Sequence, residues 1–387
     1  MDSLSIYGVS DDVLGHIFSF LTHAERMTAA ATHQRFYRLS LHPRFWARTM
    51  TNEFTCNWII EKIRERAGPM LEKMVIKRSS PLDTRGIQHL NLSSLRHLEI
   101  LIDDDKSLLD LQLGFLQTLI IKRVNYALEE PKNRLPLKPS NFPSLQRLHV
   151  INSSCRQLIM DQSQIYELIS CCPMLHAVLF YGITIDATNH MSYYINPKHT
   201  NPHVKYGKPK TVRLFNIFDS SHCIASLMCT EAKELCTWDC DLPIIALPST
   251  LAKFTTNYPY LDVGLLYQQA PNLEELNLIE TVSIRDREKV SFPNLKKLRI
   301  LLLGCYSIPH SLIANVEELD LMRCGLDPEI IWDMPALRIL ALGNCENFTA
   351  GTVWNITWEF DKLIIKDSSL SYWDFMSWDQ DNLIVTV

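Results

Sequence analysis

Leu273, Leu276 and Leu278 stand at the first, fourth and sixth places of a short stretch whose other positions are Glu274, Glu275 and Asn277. The phase returns about 22 residues later at Leu295, Leu298 and Ile300, then at Val316, Leu319 and Leu321, then at Leu337, Leu340 and Leu342. The last two apolar places alternate with polar ones. That spacing predicts a short strand with one buried face. The leading apolar residue packs at the corner where the chain enters the strand. A period of this size predicts a solenoid, in which each unit buries its apolar side against its neighbours.

Followed along the chain, the phase starts at Leu71, Leu95, Leu116, Leu145, Leu175, Val212, Ala232, Leu251, Leu273, Leu295, Val316, Leu337 and Phe360, about thirteen units. The fourth place is apolar throughout, and the sixth departs from apolar only at Thr237 and Thr256. Most units are spaced about 19 to 24 residues apart. The array resembles leucine-rich repeats of irregular length, of the kind linked to F-boxes. That family places Asn, Cys, Ser or Thr at the ninth position, where such side chains satisfy backbone groups as the chain turns away from the strand. Here that place holds Cys240, Cys324 and Cys345, among others. Short helices end at Pro173 and Pro271, just before the next strand. Residues 125–143, with four prolines, read as an extended loop. Residues 186–211 form a second long loop, with four lysines and no acidic residue after Asp186. Loops this long in a compact array are functional or disordered.

Ahead of the array the period changes. Ser10 caps a helix with Asp11 and Asp12 in its first turn, complementing the exposed amides there. Val13, Leu14, Ile17, Phe18 and Leu21 follow at helical spacing. Thr22 and Glu25 form a capping box that opens a second helix, which carries Met27, Ala30, Ala31, Phe36 and Leu39. Pro43 opens a third short helix with Phe45 and Trp46. Three such helices cannot bury all these apolar groups in one another, which predicts a partner surface. Residues 52–67 read as one more amphipathic helix, stopped at Gly68-Pro69, that bridges to the repeats.

The segment from Ser10 to Leu21, followed by Arg35 to Leu39 and Phe45-Trp46, resembles an F-box. It departs from that family at Val9-Ser10, where Leu-Pro is usual, and at Ala31-Thr32, where Val-Cys is usual. The resemblance covers residues 8–50 and implies docking on the Skp adaptor of a cullin-based ubiquitin ligase. Val9, Val13, Leu14, Ile17, Phe18, Phe36 and Trp46 would then divide between the adaptor interface and the F-box core.

These readings together give an α/β chain. Residues 1–51 are F-box helices, 52–70 a bridging helix, and 71–387 a leucine-rich-repeat solenoid with parallel strands on a concave face and helices and loops on the convex side. The third, fifth and seventh repeat positions point onto the concave face. There Glu275, Asn277, Lys297, Arg299, Glu318 and Asp320 predict charged ladders that neutralise one another. Leu179, Tyr181, Leu214, Phe218 and Trp238 predict an apolar and aromatic zone able to bind a protein target, unless loop 186–211 covers it.

Composition narrows the chemistry. The 387 residues are 47% apolar and 21% charged, with net charge −5, which gives no electrostatic argument for nucleic acid or an anionic membrane. No apolar run is long enough for a membrane helix. The first residues lack the pattern of a signal peptide. Eleven cysteines, odd in number and without paired C-x-x-C spacing, read as reduced thiols of a cytosolic or nuclear protein. The Asn-x-Ser/Thr matches at Asn91, Asn152, Asn347 and Asn355 mean little without secretion. Cys236 and Cys240, with His222 and Cys223 nearby, match no common zinc spacing. No phosphate loop, nucleophile elbow or metal-binding helix motif is present, so the expectation is no enzyme, no metal and no cofactor. The F-box and leucine-rich-repeat resemblance implies that the chain is the substrate-recognition subunit of such a ligase. The alternative is a repeat scaffold whose N-terminal helices only cap the solenoid.

Overall fold

The computed structural model describes residues 8–51, 71–76, 92–102, 111–123, 133–186, 209–219, 231–240, 247–285, 290–301, 308–349, 361–366 and 383–386, excepting 22, 41, 43, 44, 46, 47, 136, 154–157, 216, 282 and 346. The bridging helix of residues 52–67 and most of loop 186–211 lie outside them. The chain forms two compact units: residues 1–175 with 190–207, and residues 176–189 with 208–387.

In the first unit, α1 (Asp11–Phe20), α2 (His23–Thr32) and α3 (Gln34–Ser40) precede β1 (Arg48–Thr51). The expected second helix is therefore two helices that break at His33. The third helix lies before Pro43; of the short helix expected from Pro43, only Phe45 is among the described residues. The capping box expected at Thr22 falls outside the described residues. A parallel sheet then runs through β1, β2 (Lys73–Ile76), β3 (His97–Ile102), β4 (Thr118–Arg123) and β6 (Arg147–Asn152). The expected loop 125–143 contains β5 (Asn133–Arg134), which pairs in parallel with β7 (Leu158–Asp161), and a 3-10 turn at Pro139–Asn141. Gln164 ties the helix Gln162–Cys171 to that segment. Its side-chain oxygen accepts from the Asp161 amide at 3.0 Å, and its amide nitrogen donates to the Leu135 and Leu137 carbonyls at 2.8 and 2.9 Å.

In the second unit the parallel sheet runs β8 (Ala177–Tyr181), β10 (Thr211–Phe215), β12 (Glu234–Trp238), β13 (Lys253–Thr256), β15 (Glu275–Ile279), β17 (Lys297–Leu301), β18 (Glu318–Met322), β19 (Ile339–Gly343), β20 (Lys362–Lys366) and β21 (Leu383–Thr386). Short second strands pair beside it: β9 (Ile183–Asp186) with β11 (Phe218–Asp219), and β14 (Tyr260–Asp262) with β16 (Ser283–Arg285). This is the expected fold class, a helical N-terminus followed by a parallel-strand solenoid.

The repeat phase explains the sheet. The fourth-position residues Leu276, Leu298, Leu319 and Leu340 line up in register and are buried. At each step the second-position carbonyl accepts two amides from the next repeat. Ala252 receives Glu274 and Glu275 at 2.7 and 2.9 Å, and Glu274 receives Lys296 and Lys297 at 2.9 and 3.1 Å. The expected start at Val212 is corrected by this pattern. Lys210 plays the second-position role, accepting from Lys233 and Glu234 at 2.8 and 2.9 Å, and Val212 pairs with fourth-position Val178. The repeat starts at Pro209, three residues earlier. Two strands fall outside the expected array: β1, which pairs with β2, and β21, which pairs with β20.

The two polar exceptions satisfy each other. Thr237 and Thr256 face one another in register, both buried, and their hydroxyls are 3.0 Å apart. The ninth-position cysteines do what that place requires. Cys240 donates to the Leu214 and Trp238 carbonyls at 3.2 and 3.1 Å, Cys324 to Ile300 and Met322 at 3.3 and 3.2 Å, and Cys345 to Leu321 and Gly343 at 3.4 and 3.5 Å. Burial pushes the Cys240 thiol up to about 11 and the Cys172 thiol up to about 12. A thiol whose folded value is raised keeps its contribution to stability below the unfolded value and loses it as pH climbs through the folded one. Native alkylation with iodoacetamide at pH 8 is therefore expected to spare Cys172 and Cys240, as peptide mass mapping would show. Chemical melts are expected to lose stability as pH rises above about 9.

The eighth position turns the chain. Gly182, Asp239, Glu280, Arg323 and Asn344 all adopt positive φ, between 49° and 66°. The Glu280 and Arg323 amides then donate to the seventh-position carbonyls of the next repeat, Leu301 and Gly343, at 2.8 and 2.7 Å. A side chain there strains the backbone, and only Gly182 is free of that cost. Glu280→Gly is expected to raise unfolding free energy by ~0.5–1 kcal/mol in urea melts.

Candidate functional site

Two outward surfaces carry the functional argument, one in each unit. The first is α1. Ser10 Oγ accepts from the Val13 amide at 3.4 Å, and Asp11 and Asp12 occupy the first turn. Arg35, from α3, clamps this end by donating to Asp11 Oδ1 at 2.6 Å and to the Val9 carbonyl at 2.5 Å. The helical repeat then separates two faces. Leu14 and Phe18, four residues apart, point inward at 1% and 3% exposure. Phe18 packs against Phe36 and Phe45, with ring centroids 5.7 and 6.2 Å away, and the Arg26 guanidinium lies 5.5 Å from the Phe45 centroid. Val13, Ile17 and Phe20 lie on the other face at 51%, 46% and 76% exposure. His16 packs edge-on against Phe20, with centroids 4.9 Å apart.

Of the residues expected to meet an adaptor, Val13 and Ile17 are thus outward. Val9 and Phe36 are half-buried. Leu14 and Phe18 take the core share of that division, because the i, i+4 step places them together on the packed side. Trp46 lies outside the described residues. Phe20 and Tyr37 are exposed apolar residues that the sequence reading passed over. Phe20 is legible in hindsight: it stands three residues after Ile17 and continues the stripe from Val13.

The second surface is the open face of the sheet in the second unit. Tyr181, Phe215 and Trp238 occupy the seventh position of three adjacent strands in register. The Tyr181 and Phe215 rings are 6.3 Å apart, and Tyr181 is exposed. Tyr181 and Trp238 of the expected zone thus lie on this face, and Phe215 stands between them. Leu179 and Trp238 are half-buried on this face. Leu214 is corrected to the core, because its true place is sixth, and Phe215 takes the outward role. Phe218 belongs to β11, in the short second sheet rather than on this face. Arg213, Phe215, Cys236, Lys253 and Thr255 line a shallow depression here. Burial raises the Cys236 thiol against the pull of Arg213 and Lys253.

The charged ladders pair as expected. Lys253 meets Glu275 at 2.7 Å, Lys297 meets Glu318 at 2.8 Å and Arg299 meets Asp320 at 3.4 Å. Lys366 also reaches Asp320 at 3.0 Å, across the intervening strand where Ala341 is small. Among the described residues no cluster of His, Cys, Asp and Glu could hold a metal ion, and no helix is long and apolar enough to cross a membrane.

Residues 8–48 match the F-box domain family. This segment is an F-box. The F-box thus comprises α1 to α3 and ends at Arg48, the first residue of β1. Beyond it, the array carries the leucine-rich-repeat phase. No curated protein sequence matches the chain. Among solved structures, the chain is similar to an internalin of Listeria monocytogenes at 14% identity, covering 85% of this chain and 88% of that one with a TM-score of 0.42. It is also similar to TLR13 in a complex with ssRNA13 at 16% identity, covering 85% of this chain and 44% of that one with a TM-score of 0.40.

Proposed function

We propose that the chain is the substrate-recognition subunit of a cullin-type ubiquitin ligase. Its F-box binds a Skp adaptor through the outward stripe of α1, and its repeat sheet binds a protein target. The observation that carries this reading is the split of α1. Leu14 and Phe18 pack into the F-box core, while Val13, Ile17 and Phe20 stay exposed on the opposite side of the helix, Phe20 in contact with His16 of the same helix. Exposed apolar stripes of this kind mark interfaces. On this reading the chain performs no covalent chemistry and needs no cofactor. It raises the local concentration of a target near a transferase carried elsewhere in the complex, and proximity supplies the gain in rate. It works in the cytosol or nucleus, where its thiols stay reduced.

The scaffold alternative draws on β1, whose pairing with β2 covers that edge of the sheet. Capping that edge uses the strand that begins where the F-box ends and leaves the α1 stripe open, so it does not account for the stripe. The test is capture of the full chain by purified Skp adaptor, with Val13→Asp/Ile17→Asp beside it. Capture of wild type and loss in the folded variant is the expected result. Failure of a folded wild-type chain to bind would leave the scaffold reading.

A further inference from the structure

Two of the ninth-position cysteines stand on consecutive repeats. Met322 and Gly343, at the seventh places of β18 and β19, are in register, so Cys324 and Cys345 follow at equivalent points. Each comes directly after a residue of positive φ, Arg323 or Asn344. Both side chains are turned inward, at 1% and 5% exposure. They reach consecutive carbonyls of one strand: Cys345 Sγ lies 3.4 Å from the Leu321 oxygen, and Cys324 Sγ lies 3.2 Å from the Met322 oxygen. The Cys324 thiol also hydrogen-bonds the Cys345 sulfur. The turns that follow are tied together, since the Asn347 amide donates to the Gly325 and Leu326 carbonyls at 2.9 and 3.2 Å. Cys240 has no such neighbour by register, because Pro259 takes the ninth place of the next repeat.

This arrangement suits a disulfide. Both cysteines are reduced. Neighbouring strands lie about 4.8 Å apart, within the ~4.4–6.8 Å that a disulfide spans between Cα atoms. The Cys324 hydrogen bond holds the Cys345 thiol below its ordinary value; burial opposes it, and backbone hydrogen bonds at Cys324, Gly343 and Arg323 add to it. Thiolate is the form of cysteine that oxidants attack. Cys345 lies just under the surface of a turn, between exposed Asn344 and Asn347. A molecule as small as hydrogen peroxide needs only local opening of that turn to reach it.

We propose that Cys324 and Cys345 are an oxidation site for hydroperoxides, closing to a disulfide that staples two consecutive repeats. The Cys345 thiolate attacks one peroxide oxygen and the O–O bond breaks. Its sulfur becomes a sulfenic acid, and the other oxygen leaves as hydroxide, which takes up the proton that Cys345 released and becomes water. The Cys324 sulfur then attacks the sulfenic sulfur. The S–S bond forms, the S–O bond breaks, and the Cys324 proton leaves with that oxygen as a second water. Two thiols are thus oxidised by two electrons and one peroxide is reduced. A thiol already in contact with the sulfenic acid intercepts it before a second peroxide carries it to sulfinic acid. Thiols of a reducing compartment return the pair to its resting form.

The experiment treats the full chain with hydrogen peroxide, blocks the remaining thiols with iodoacetamide, and maps peptides by mass spectrometry with and without dithiothreitol. The expected result is a dithiothreitol-sensitive peptide pair joined through Cys324 and Cys345, formed at least ~10-fold faster than any other bridge in the chain. In Cys324→Ala the sulfenic acid at Cys345 is expected to persist, with at least ~10-fold more dimedone adduct there than in wild type. Thermal melts establish that this variant is folded, and the wild-type bridge is read independently of it. Both cysteines left reduced at a peroxide dose that oxidises other cysteines of the chain would overturn the proposal. So would sulfinic acid at Cys345 without a bridge, or a bridge that forms only after denaturation in urea.

Discussion

Val13→Asp/Ile17→Asp is expected to weaken capture by the Skp adaptor by at least ~100-fold, with the helical circular dichroism and melting temperature of the chain unchanged. Each side chain is about half exposed and makes little of the F-box core. Placing a carboxylate at each costs the fold little, since surface substitutions usually fall within about 0.5 kcal/mol. At a closed interface the same carboxylates would be buried without partners, and a loss of about 1.4 kcal/mol at each position already multiplies to that factor. Phe18→Ala is the contrasting variant. Phe18 is buried against Phe36 and Phe45, so its truncation is expected to destabilise the F-box by about 3–5 kcal/mol. Its loss of adaptor binding would come with a loss of α1 to α3. Titration calorimetry beside thermal melts separates the two cases. Full binding by the folded Val13→Asp/Ile17→Asp protein would remove α1 from the interface.

Arg123→Met is expected to stabilise the chain by about 1–4 kcal/mol, read from urea melts. Arg123 is 1% exposed at the end of β4, and among the described residues none of its three guanidinium nitrogens has a hydrogen-bond partner. An unpaired buried charge costs several kcal/mol, roughly, even after relaxation. Methionine has a similar length, needs no partner and adapts to an irregular space. A destabilised Arg123→Met would show that the guanidinium is compensated by an anionic group in the folded chain.

The repeat phase was legible because it is redundant. Leu276, Leu298, Leu319 and Leu340 state the same strand four times, and any one could be lost without losing the period. The slip at Val212 shows the limit. Val212, Phe215 and Ile217 satisfy the first, fourth and sixth places, while Val212 and Leu214 equally satisfy the fourth and sixth. Loop 186–211 removes the spacing that would choose between them. Pairing chose, through the carbonyl of Lys210 and the register of Val212 with Val178. The three-residue shift moved Leu214 inward and brought out Phe215.

The F-box divides in the same way. Its apolar spacing and its caps are local, so Ser10 and the α1 helix were readable from the chain. The break between α2 and α3 at His33 was not, because the apolar residues on either side continue one helical stripe. Which side of α1 meets its own core depends on where Phe36 and Phe45 come to rest against Phe18, and that contact joins residues far apart in sequence. Sequence alone therefore determined the period, the element types and the residues able to be apolar anchors, since these follow from local geometry. Only the tertiary structure decided which anchors are spent on the core and that Thr237 and Thr256 satisfy each other. Each of those facts depends on which strand lies beside which, and in what register.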